Sequence, residues 1–172
     1  MNEAAENQSC WDFVVELYAK PGVSQACLEL QDRLGVDVSF LLTVLFYARR
    51  RSIDFSMEEI ASLDRAISAW RNQVLIPLRQ LRRSVKASDL LNSPTEEFYR
   101  RIKADELLAE QLEVSALEQQ LEQMAVKRSA AELKRDLIER IVKHFADASP
   151  QPNQQTSETV QRAISTVYDC AH

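Results

Sequence analysis

Hydrophobic residues along this chain recur three and four positions apart, the spacing of one helical face, in blocks set off by helix-stopping residues. The first block opens at Ser9 and carries Cys10, Phe13, Val14, Leu17 and Tyr18 as a single stripe, closed by Pro21-Gly22. Ser9 and Asp12 form a capping-box-like start, in which a side-chain oxygen serves an amide that lacks a partner within the helix. The second block places Val23, Cys27, Leu30 and Leu34 on one face and stops at Gly35, a natural left-handed C-terminal cap. Asp37 is the N-cap of a third helix, Val38 to about Arg51. That helix is apolar on nearly every side (Phe40, Leu41, Leu42, Val44, Leu45, Phe46, Tyr47) and belongs at the centre of a bundle. Arg49, Arg50 and Arg51 lie at its end, where positive charge suits the helix dipole.

Ser56-Met57-Glu58-Glu59 opens a long fourth helix, with Ile60, Leu63, Ile67, Trp70, Val74, Leu78, Leu81 and Val85 as the predicted core face. Pro77 lies within this pattern and predicts a kink rather than an end, because the apolar spacing continues in phase beyond it. Ser93-Pro94-Thr95-Glu96 starts a fifth helix to about Ala125, with Phe98, Ile102, Leu108, Leu112, Leu117, Leu121 and Met124 inward. Ser129 to Glu132 starts a sixth, with Leu133, Leu137, Ile138, Ile141, Val142 and Phe145 inward. Residues 148–157 read as a polar linker, and Val160, Ile164, Val167 and Tyr168 mark a last amphipathic stretch. The expected fold is all-α, a single-domain bundle of about six helices over residues 9–147. Its kinked fourth helix and the fifth form an antiparallel hairpin. A disordered N-terminus (residues 1–8) precedes the domain, and residues 148–172 follow it as a flexible linker and a separable amphipathic segment.

Composition narrows the picture. Two glycines and five prolines in 172 residues are too few for a β-sandwich or barrel, which needs turn residues every 8–12 positions. The apolar run from Val38 to Ala48 is too short for a bilayer, which takes about 20 residues, so no membrane role is expected. Cys10, Cys27 and Cys170 show no C-x-x-C spacing, and the acidic N-terminus is no signal peptide, which together predict a cytoplasmic protein. A net charge of −5 argues against general nucleic-acid binding.

Charge is segregated. No acid occurs from Arg65 to Ser88 and no base from Ala104 to Val126. A hairpin folded about residues 88–95 brings Arg79 level with Asp105 and Arg71 level with Glu113, so the blocks neutralise each other. The same fold gathers Arg82, Arg83 and Lys86 with Arg100, Arg101 and Lys103 as a basic patch for an acidic protein partner, RNA or an anionic ligand. A pocket is expected at the kink, near Trp70, Arg71 and Pro77.

Catalytic chemistry is hard to assemble, and no catalytic, cofactor-binding or metal-ligating residue is assigned. The two histidines are His144, read as a cap on helix six, and the terminal His172. Neither Glu132 nor Glu139 has a histidine three residues on, so the paired E-x-x-H of di-metal bundles is missing, and two glycines leave no room for a phosphate-binding loop. Cys27 reads as a small core hydrophobe, and Trp11, Tyr18 and Trp70 as core or core-edge aromatics. Gln31-Asp32 reads as a polar lock between helices or, alternatively, a binding site.

Residues 9–125 resemble a family of uncharacterised, all-helical cytoplasmic proteins of Gram-negative proteobacteria. The resemblance is carried by Trp11, Phe13, Tyr18, Pro21-Gly22-Val23, Ala26-Cys27-Leu28, Leu30-Gln31-Asp32, Gly35, Asp37-Val38 and Leu41-Leu42, then Trp70 and Pro77 to Arg83. It implies a fold but no activity, cofactor or site residue. The expected function is a non-enzymatic regulatory or binding protein acting through a macromolecular partner. The alternative is a small-ligand carrier or sensor with its pocket near the helix-four kink.

Overall fold

Helix starts fall where the sequence supplies an oxygen for the first unpaired amides. Ser9 Oγ accepts from the Asp12 amide at 3.1 Å, and Asp37 Oδ1 accepts from the Phe40 amide at 3.1 Å. Ser56 and Glu59 close a full capping box, the Ser56 amide donating to Glu59 Oε2 at 2.8 Å. Gly35 ends its helix with φ +68°, and its amide donates back to Gln31 O and Leu30 O. The computed structural model describes residues 8–86, 95–125, 135–148 and 157–171, so the capping sequences at Ser93 and Ser129 and the residues 1–7 and 149–156 lie outside the described residues.

The described residues form seven helices: α1 (Cys10–Ala19), α2 (Val23–Leu34), α3 (Val38–Arg51), α4, α5 (Glu96–Ala125), α6 (Arg135–Ala148) and α7 (Glu158–Ala171). Helix α4 runs without a break through three stretches, Met57–Trp70, a π-helical turn Arg71–Leu75, and Ile76–Lys86. No strand occurs among the described residues. Helix α3 is the axis of the core, buried at every position from Ser39 to Ala48, with α1, α2, α5 and α6 packed around it. Phe46 meets Phe13 of α1 at 5.2 Å between ring centroids, and Phe40 meets Phe145 of α6 edge-on at 5.4 Å. Cys27 is fully buried, and burial pushes its thiol up to about 12, which leaves it a neutral core residue.

Three expectations need correction. The first is the inward face of α4. Ile60, Leu63 and Ile67 are buried as predicted, but the next buried residues are Arg71 and Leu75, while Trp70 and Leu81 are exposed and Val74, Leu78 and Val85 half-buried. The π turn is the reason. The Ile76 amide donates to Arg71 O, five residues back, so the turn takes up one extra residue and everything beyond it rotates by one position. Pro77 explains why the turn sits there, since its ring would press on the carbonyl four residues before it in a regular helix.

The second is α5. Ile102, Leu117 and Leu121 point inward, but Phe98, Leu108 and Leu112 are exposed, and Glu106, Ala109 and Glu113 take the inward positions. The third is the C-terminal segment. It is a 14-residue helix, α7, laid along α2, with Val160, Ala163, Ile164, Val167 and Ala171 in the same core as α1 to α3. Lys20 Nζ donates to Cys170 O at 2.6 Å and Arg49 Nη1 to Ala171 O at 3.2 Å, so cations meet its carbonyl end.

Candidate functional site

The inward arginines of α4 and inward glutamates of α5 meet across the hairpin. Arg79 Nη2 lies 2.8 Å from Glu110 Oε1 and its Nε 3.7 Å from Glu106 Oε1. Arg82 holds both oxygens of Glu106, Nη2 donating to Oε1 at 3.2 Å and Nε to Oε2. The antiparallel hairpin and the expected contact between the charged blocks are both present.

Deeper in, Arg71 projects from the π turn into a cluster supplied by four helices. Its Nε donates to Asp37, the N-cap of α3, and its Nη1 lies 2.7 Å from Asp64 Oδ1 of α4. Its guanidinium lies over the Phe145 ring of α6, 5.1 Å from the centroid. Asp64 Oδ2 also meets His144 Nε2 at 2.8 Å, so His144 pairs with α4 instead of capping its own helix. Glu113 of α5 completes the cluster, with Oε1 3.9 Å from Arg71 Nε. Burial and then the charge of Asp37 push the Glu113 carboxyl up to about 9, so it is protonated at neutral pH and can donate to Asp37. Both Glu113 oxygens lack a donor, which suits a neutral acid better than a carboxylate. One guanidinium, two aspartates and one protonated glutamate thus share a largely buried site. This arrangement locks α3, α4, α5 and α6 together, and among the described residues no group of His, Cys, Asp and Glu is arranged to hold a metal ion.

Two cavities flank this seam. The smaller, about 260 Å³, lies between the end of α2 and the π turn and includes Asp32, Arg71, Arg79 and Arg83 in its walls. The larger is a groove of about 600 Å³ between α1, α2 and the hairpin, floored by Val38 and Leu42 of α3. Trp11, Val15 and Tyr18 of α1 and Leu28 of α2 face Tyr99, Lys103 and Leu107 of α5 across it. Gln31 and Arg79 belong to the walls of both cavities.

The sequence-predicted residues distribute unevenly over this geometry. Arg82 is bound to Glu106, Arg83 reaches Asp32 of α2 at 3.1 Å, and Arg100 and Arg101 both pair with Glu97 on their own helix. Carboxylates therefore divide the basic patch; Lys86 is exposed, and Lys103 stands in the groove wall. Asp32 makes an exposed ion pair with Arg83 between α2 and α4 and also lines the smaller cavity. The kink residues do not form one pocket. Arg71 is buried in its ion cluster, Pro77 is exposed, and Trp70 turns outward to donate from Nε1 to Ala109 O at 3.1 Å. Trp70 and Arg71 are neighbours in sequence and so point to different sides of the helix, and the π turn rotates Pro77 away from both. The groove was not anticipated; its only signals in the sequence were Trp11, Tyr18 and Gln31, each with a simpler reading as core edge or lock.

No helix among the described residues is long and apolar enough to cross a membrane. Residues 9–117 match the family model described as "Protein of unknown function (DUF2390)". No curated protein and no solved structure matches the chain.

Proposed function

The chain belongs to this family of proteins of unknown function, and from that premise we propose a non-enzymatic, cytoplasmic binding protein that acts through a protein partner docked on the α4–α5 hairpin. The observation that carries the reading is the hairpin's outer surface. Six of the nine exposed large apolar residues of the described chain lie on these two helices away from the groove: Trp70, Ile76, Leu81, Phe98, Leu108 and Leu112. An apolar surface concentrated on one element is how protein-interaction sites present themselves. Leu108 and Leu112 stand one turn apart, and Asp105 lies a further turn back, so the partner segment that fits is apolar with a basic flank. The pairing of Arg82, Arg83, Arg100 and Arg101 with carboxylates supports a protein over RNA, and the cavity beside the π turn, about 260 Å³ and lined by Arg71 but by neither Trp70 nor Pro77, is small for a ligand pocket at the kink.

The test is capture of partners from cell extract by tagged wild type and by Leu108→Ser/Leu112→Ser. Both positions are exposed, so the variant should melt within a few degrees of wild type. A protein retained by wild type and lost by the variant supports the reading. Identical capture by both overturns it.

A further inference from the structure

The groove on the other side of α5 is built for a different occupant. It is about 600 Å³, within the 300–1,000 Å³ range of small-molecule sites, and its walls are mainly apolar with a few polar groups. The aromatic rings of Trp11, Tyr18 and Tyr99 and the side chains of Val15, Leu28 and Leu107 supply the apolar walls. Leu107 remains 54% exposed, Val15 47% and Leu28 39%, so this surface is open for a guest to cover.

The charges in the wall are accounted for with one exception. Arg79 faces Glu110 and Arg82 faces Glu106, two cations balanced by two carboxylates. Lys103 has no ionic partner among the described residues and sits one helical turn from both Tyr99 and Leu107. The groove therefore offers one uncompensated positive charge beside an apolar trough. Glu106 and Glu110, also in the wall, oppose a second negative charge.

We infer that this groove binds an amphipathic monocarboxylic acid, with its chain or ring against Trp11, Val15, Leu28 and Leu107 and its carboxylate on Lys103. The apolar body supplies most of the affinity through burial, and the ammonium selects the charged head. This site is independent of the hairpin partner surface, since successive residues such as Leu107 and Leu108 point to different sides of a helix.

The chain has two tryptophans, so Trp70→Phe leaves Trp11, in the groove wall, as the sole reporter. Octanoate and 1-octanol serve as probes of equal chain length, titrated into the full chain while Trp11 emission is followed. Octanoate should give a saturable change and bind about tenfold more tightly than octanol. Lys103→Gln should weaken octanoate about tenfold and leave octanol unchanged, and Leu107→Glu should abolish binding of both, with circular dichroism confirming the fold. Calorimetric titration of wild type with octanoate repeats the measurement without the tryptophan substitution. No saturable binding to wild type overturns the site, and equal octanoate affinity in wild type and Lys103→Gln overturns the carboxylate assignment.

Discussion

Glu113 shows how far a single residue departs from its ordinary chemistry once it faces a core. Its carboxyl is buried beside Asp37 and holds its proton up to about pH 9, against an ordinary value of 4.5. The sign of the consequence follows. Between these values the folded chain keeps a proton that the unfolded chain has released, so this group makes stability fall as pH rises from about 4.5 to about 9. The slope is at most about 1.4 kcal/mol per pH unit. Glu113→Gln, whose amide also donates to Asp37, should remove that slope; the variant's melting temperature should gain on wild type steadily toward pH 9. Equal pH profiles for the two proteins would show an ionised Glu113. Arg71 is the counterpart. Its removal leaves Asp37 and Asp64 without their cation, so Arg71→Ala should lower the unfolding free energy in urea by about 3–5 kcal/mol. Arg83→Ala, which opens a pair 58% and 57% exposed, should cost under about 1 kcal/mol in the same titration.

Among the elements, α7 and the second half of α4 depart furthest from their local sequence. Helix α7 has four predicted apolar residues and a polar lead-in, which reads as a marginal segment. Its stability comes from α2, whose Val23, Cys27 and Leu30 need a cover and are all fully buried. Burying Val160, Ile164 and Val167 contributes roughly 1.5–3 kcal/mol each, and removing them also opens the α2 face. A chain ending at Ala148 should therefore lose well over 10 °C in melting temperature or its cooperative transition, measured by circular dichroism. Retention of the full-length melting temperature would mean that α7 docks without stabilising the domain. Helix α4 responds to a different constraint. Its π turn accommodates Pro77 and in doing so aims Arg79 and Arg82 at the glutamates of α5.

At the scale of the whole molecule, the first half of α4 and the second half of α5 join the bundle by apolar packing, through Ile60, Leu63, Ile67, Val114, Leu117 and Leu121, whereas the outer halves of the two helices are held to each other by ion pairs. No residue of Ile76–Lys86 is buried, whereas α3 is buried over ten consecutive positions. A paired polar seam of this kind sets orientation more than it adds stability. It also spends arginines and glutamates inside, which turns Trp70, Leu108 and Leu112 outward. The exposed apolar surface and the seam are thus two faces of one arrangement, and the groove opens between α1, α2 and the hairpin.

The sequence alone determined the all-helical class, the starts and stops at Ser9, Gly35, Asp37 and Ser56, and the inward faces of α1, α2, α3 and α6. Those features rest on local chemistry: a capping oxygen, a glycine with positive φ, or a stripe of apolar residues with no competing reason to be inside. Periodicity failed from Trp70 to Leu112 because it counts apolar residues and assumes one unbroken helical phase. A buried arginine facing a buried glutamate defeats the first assumption, and the π turn before Pro77 defeats the second. The sequence also foretold that the charged blocks of α4 and α5 meet; only the tertiary structure decided which helix covers α2, that Arg71 also holds Asp37 and Asp64, and that Lys103 is left facing an apolar groove, because each of these depends on residues far apart in the chain meeting in space.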